Sequence, residues 1–140
     1  MRHLIGLALL LAAAPSPRPA ATVRITVRLL GVQPRQGGVL RVGLHPAPGE
    51  RFPGPSPLAN RDVAPAADPE VTFEAPAGEY AIAVHHDANA NGRVDTNFLG
   101  APKEGYAVSR DPRPRFRAPR FAQASVSVTR DTTIAVRMVY

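Results

Sequence analysis

The 140-residue chain contains no cysteine. Disulfides, thiolate metal sites and cysteine nucleophiles are therefore all excluded. A domain of this kind draws its stability from its apolar core or from a bound ion. Aromatic residues are also scarce, at 6%, and they do not interleave with the arginines as base-stacking platforms do, which speaks against nucleic acid as a partner. Glycine-rich phosphate cradles are absent. Ser109, Ser125 and Ser127 lie in no nucleophile-elbow or histidine context. Nothing in these patterns points to catalysis.

No apolar run is long enough to span a bilayer as a helix. The longest is Leu4 to Ala14 (LIGLALLLAAA), eleven residues behind the basic start Arg2-His3, which is the layout of a signal peptide. Pro15-Ser16-Pro17-Arg18-Pro19 then breaks any helix. This predicts a signal peptide over residues 1–21, cut near Ala20 or Ala21. A single domain over 22–140 follows, exported to the periplasm or the medium and without a transmembrane span. No cysteine follows the run, so lipid attachment through one is excluded. Of the 17 basic residues, Arg2 and Arg18 fall in the signal region, leaving 15 against 11 acidic. The excess is local: Arg110, Arg113, Arg115, Arg117 and Arg120 crowd one proline-rich stretch. It reads as a solvated loop, or as a surface for an anionic envelope polymer or lipid head groups.

Period-two alternation dominates what is present. Val23, Ile25, Val27 and Leu29 alternate with polar residues, the mark of a half-buried strand. Val39–Leu44 reads as a second strand, paired with or neighbouring the first across the Gly37-Gly38 turn. Seven prolines between 45 and 69 predict a long loop with one short edge segment, pinned by Phe52 and Leu58. Further strands are expected at 70–75, 79–86, 121–128 and 132–140, the last with Tyr140 pointing inward. Residues 98–106 read as irregular. Six to seven short strands with proline- and glycine-rich turns predict an all-β, immunoglobulin-like or transthyretin-like antiparallel β-sandwich, with a barrel as its structural rival.

His86-Asp87-Ala88-Asn89-Ala90-Asn91-Gly92-Arg93-Val94-Asp95 carries the clearest chemistry. Asp87, Asn89, Asn91 and Asp95 fall at positions 1, 3, 5 and 9 of a calcium-loop spacing, with Gly92 at position 6. Arg93 stands where such loops offer a backbone carbonyl. The twelfth position, normally a bidentate carboxylate, is Phe98; Glu104 reaching back, or Asn97, would have to replace it. With so few charges, calcium affinity in the extracellular range of about 10⁻⁴ to 10⁻³ M is expected, and a structural ion rather than a catalytic one. The alternative is an Asx-rich turn with no ion, since Asn and Asp bond their own backbone. His85 and His86, adjacent on a strand, point to opposite faces and do not readily share a metal. One is expected in the core and hydrogen-bonded, and His86 is a possible orienting partner for Asp87. A small metal-dependent hydrolase using His85 or His86 with Asp87 is the enzymatic alternative.

Pro76-Ala77-Gly78-Glu79-Tyr80 resembles the turn-and-strand of transthyretin-like and carboxypeptidase-regulatory-like β-sandwiches. Extended through His86-Asp87-Ala88-Asn89-Ala90-Asn91-Gly92 and Asp95-Thr96-Asn97-Phe98-Leu99-Gly100-Ala101-Pro102-Lys103-Glu104-Gly105, the block resembles an uncharacterised exported bacterial family, domain of unknown function 2141. That resemblance implies a β-sandwich and export over Val23 to Tyr140. It implies no activity, because the family has none established. The proline-rich span 45–69 and the arginine-rich span 110–120 depart from it.

Overall fold

The computed structural model describes residues 20–115 and 117–140; the expected signal peptide falls almost wholly outside them. Among these residues eight strands form two sheets, with one short α-helix. They are β1 (Thr22–Leu30), β2 (Val39–Pro46), β3 (Ala59–Val63), β4 (Glu70–Pro76), β5 (Gly78–Asp87), β6 (Gly105–Val108), α1 (Phe121–Ala124), β7 (Val126–Val128) and β8 (Thr132–Arg137). The three-stranded sheet runs β4-β1-β8. The second runs β3-β2-β5-β6, with β7 pairing the other stretch of the β5 edge that β6 uses. Every ladder is antiparallel except β1–β8, which is parallel, with Ile25 opposite Thr132. Among the described residues no helix is long and apolar enough to cross a membrane.

Alternation explains the sandwich. Val23, Ile25, Val27 and Leu29 of β1 face Leu40, Val42 and Leu44 of β2, with Phe73, Ile82 and Val84 between the sheets. Each such side chain contributes about 1.5–3 kcal/mol by leaving water. β5 is buried on both faces, from Tyr80 to Val84. Its outer face meets a second, smaller cluster of Ala81, Ala83, Val108 and Ala124, with Phe52 and Phe121 packed against it. The proline-rich span and α1 supply that cover.

Several expectations need correction. β1 and β2 are not hairpin partners; they lie in opposite sheets and meet only across the core. Gly37 and Gly38 both take positive φ, and the connection carries the chain from one layer to the other. Residues 121–124 are helical. Phe121 and Ala124, three apart, turn to one side of a helix and enter the outer cluster together, which a strand would not allow. The first backbone N–H is held by the Gln123 side chain (Arg120 N to Oε1, 3.0 Å). The supposedly irregular segment 98–106 ends in β6. Phe52 does pin the long loop, but Leu58 is 46% exposed. Tyr140 is 43% exposed, although its ring packs edge-on against His86 at 5.6 Å.

His45, on the outer face of β2, is fully buried, and neither ring nitrogen has a hydrogen-bond partner among the described residues. It packs edge-on against Phe52 at 5.1 Å, which packs on Phe121 at 6.1 Å. Burial holds its pKa below the ordinary 6.5, and the neighbouring Gly54 backbone offsets only part of that. The folded state thus prefers neutral His45, while the unfolded chain protonates it near 6.5. The stabilising contribution is complete above 6.5 and is lost as pH falls from there through the folded-state pKa. Urea midpoints measured between pH 7.5 and 5 are expected to drop less for His45→Met than for the unaltered chain.

Candidate functional site

The final residues of β5 lead directly into the Asx-rich loop, so the sheet fixes where the loop begins. Asp87, the last strand residue, is fully buried. Its Oδ1 accepts the Asn91 N–H at 3.0 Å and its Oδ2 the Gly92 N–H at 2.8 Å. Oδ2 also accepts from Arg41 Nε at 3.1 Å, with Nη2 equally close. Arg41 lies opposite His85 on β2 and holds Asp62 of β3 at 2.7 Å with its other nitrogen. Desolvation alone would raise the Asp87 carboxyl. The bonds from Gly92, Arg41 and Asn91, with the Arg41 charge, outweigh it and hold the pKa below the usual carboxylate value.

The loop then folds on its own oxygens. Asn89 Oδ1 accepts the Asn91 N–H at 3.1 Å, and Asn91 Oδ1 accepts the Arg93 N–H at 2.8 Å. The amide nitrogens of both residues donate to the Asp95 carboxylate, at 2.7 Å from Asn89 and 3.2 Å from Asn91. Ala90 and Gly92 take positive φ, 55° and 76°, which bends the chain tightly enough to bring positions 1, 3, 5 and 9 together. Glu104 does reach back. It is 8% exposed and accepts the Ala88 N–H at 3.0 Å and the Asp95 N–H at 3.1 Å. Its Oε2 is 2.7 Å from His85 Nε2. An open cleft lies over this side, lined by Ala88, Asn89, Asp95, Thr96, Lys103 and Glu104. Phe98 takes no part; it is 96% exposed. Asn97 spends its Oδ1 on the Leu99 and Ala101 N–H groups.

These donors are of the kind a hard divalent cation takes: carboxylate and amide oxygens. Among the described residues no three His, Cys, Asp or Glu side chains gather as a metal cluster; two of the loop's four ligand side chains, Asn89 and Asn91, are neutral amides. An ion would compete with Arg41 for Asp87, and with two amide N–H donors for Asp95. The set therefore fits a weakly held cation better than a tightly held one.

The two histidines separate as expected of neighbours on a strand. His86 is fully buried on the inner face. Its Nε2 meets the Gly37 carbonyl at 2.8 Å and must donate; its Nδ1 lies 2.8 Å from the Tyr140 hydroxyl, which accepts the Gln33 N–H at 2.9 Å and is free to donate to the ring. His86 thus anchors the last residue of the chain and does not orient Asp87; that expectation is corrected. His85 is on the outer face with Glu104. Sequence reasoning missed Arg41, although it is the one charge inside the otherwise apolar run Val39–Leu44, and a lone charge there implies a partner. The five arginines between 110 and 120 are all exposed; Arg113 pairs with Asp111 at 2.9 Å.

Residues 27–135 match the family described as "Uncharacterized protein conserved in bacteria (DUF2141)". The chain belongs to that family. No curated protein and no solved structure matches it.

Proposed function

We propose that this member of the family is an exported, non-enzymatic β-sandwich module whose loop 87–95 takes a structural calcium ion. The observation that carries this reading is the gathering of Asp87, Asn89, Asn91 and Asp95 by one short loop, held by Asx bonds to its own backbone and by both amides reaching Asp95. Arg93 would add its carbonyl and Glu104 a carboxylate from across the cleft. The signal-like start of the sequence supports export, and extracellular fluids hold calcium at the concentrations such a loop needs. Both His86 nitrogens are taken by Gly37 and Tyr140, His85 faces Glu104 and Asp87 is held by Arg41, which weighs against a metallohydrolase using either histidine with Asp87. An ion here would brace the loop that joins β5 to β6 and, with no disulfide present, would add to the stability of the whole sandwich.

Thermal unfolding in calcium and in chelator tests this. At a dissociation constant of about 10⁻⁴ to 10⁻³ M, 10 mM calcium is expected to add roughly 1.4–2.7 kcal/mol by mass action. Magnesium, which demands a stricter octahedron, is expected to add less. A midpoint indifferent to calcium at 10 mM would sink the reading and leave a self-satisfied Asx turn.

A further inference from the structure

We propose that the hairpin tip beyond this loop, bearing Phe98 and Leu99, docks into the interface of an anionic phospholipid bilayer. Phe98 is 96% exposed and Leu99 78%, with Val94 nearby at 56%. Their exposure is built, not frayed. Asp95 O accepts the Lys103 N–H at 2.8 Å, Asn97 N donates to Ala101 O at 2.8 Å, and Gly100 N donates to Asn97 O at 2.9 Å. Thr96 bridges Pro102 across the same ladder, and the Asn97 side chain closes the turn from within. The backbone thus holds two large apolar side chains out in water on a narrow projection.

Charge selects the occupant. Arg93 and Lys103 flank the tip, both exposed and in no ion pair among the described residues. The nearby acids are already engaged: Asp87 by Arg41, Asp95 by two amides, Glu104 by His85 and two backbone N–H groups. What the tip presents outward is apolar and positive, the pairing that suits head groups and the acyl boundary of an anionic leaflet. A stable protein interface buries about 800 Å² on each partner, more than a two-residue point offers; a bilayer accepts a point. The proposal is independent of calcium in loop 87–95.

The sequence contains no tryptophan, so Phe98→Trp makes emission report on that position alone. Leu58→Trp is the control, at a site 46% exposed beyond the opposite end of β2 from Asp87. Both full-length variants are titrated with vesicles of phosphatidylcholine alone and of phosphatidylcholine with phosphatidylglycerol. The expected result is a blue shift and quenching by brominated lipid for Phe98→Trp on anionic vesicles only, weakened by salt. Leu99→Ser and the pair Arg93→Gln/Lys103→Gln, made in that background, are each expected to weaken binding about tenfold. Four results would overturn the proposal: no shift at position 98, equal shifts on neutral vesicles, equal shifts at position 58, or a shift in concentrated protein without lipid, which would mark the tip as a contact between copies.

Discussion

Asp87→Ala is expected to cost about 2–3 kcal/mol in urea unfolding and to abolish any calcium-dependent shift in the melting midpoint. The buried carboxylate satisfies two loop N–H groups and the Arg41 guanidinium at once. Removing it leaves the Gly92 N–H without its acceptor and the Asn91 N–H with Asn89 Oδ1 alone, and takes from Arg41 its buried partner. Loss of a buried ion-pair partner can cost about 3–5 kcal/mol. Here Arg41 is 36% exposed and keeps Asp62, so the lower figure applies. Asp95→Ala is the informative contrast. That carboxylate is half-buried and held by side-chain amides free to turn to water, so its loss should cost about 1 kcal/mol or less while still removing a cation ligand. The acid branch of stability gives an independent check. Because the folded pKa of Asp87 lies below the ordinary 3.8, its contribution is full above that value and is lost as pH falls through the folded pKa. Asp87→Ala should unfold with a shallower acid limb.

Gly38→Ala is expected to be at least as damaging, at about 2–5 kcal/mol, although it adds one methyl group far from the loop in sequence. A Cβ at Gly38 would stand 2.0 Å from the Asp87 carbonyl oxygen and 2.6 Å from the Ala88 backbone. Both obstacles are backbone, and neither can rotate away. The residue also takes φ of +71°, a conformation that costs an L side chain roughly 1–2 kcal/mol by itself. Relief requires the 31–38 connection to retreat from the end of β5, which also pulls the Gly37 carbonyl away from His86. A chemical-denaturation midpoint near that of the unaltered chain would show that the two segments are not held as tightly as described.

What was legible in the sequence was local chemistry and alternation. The strand faces of β1, β4 and β5 follow from apolar residues at every second position, and the oxygen-bearing residues of the loop sit at their own spacing whatever the rest of the chain does. Glu104 was reachable because the twelfth loop position lacked a carboxylate and the next acid stood close by. Pairing partners were not legible. β1 could have met β2 through a short turn, but its neighbours are β4 and β8, chosen by which apolar faces fill one core. Residues 121–124 carry β-compatible side chains, and only the outer cluster rewards turning Phe121 and Ala124 to the same side. His86 with Tyr140 spans 54 positions, and nothing local at either end announces the other.

The parallel ladder between β1 and β8 sets an order of events. β1 meets no sheet partner until residues 70–76 and 132–137 have arrived. A chain leaving the ribosome amino end first therefore carries its opening strand with both edges bare for half of its synthesis, and with the β8 edge bare until almost all of it is made. It closes only when the terminal segment is free, and such distant pairings form slowly. A truncation before Thr132 would not shorten this protein so much as leave it permanently unfinished, its first strand a template for whatever chain comes next.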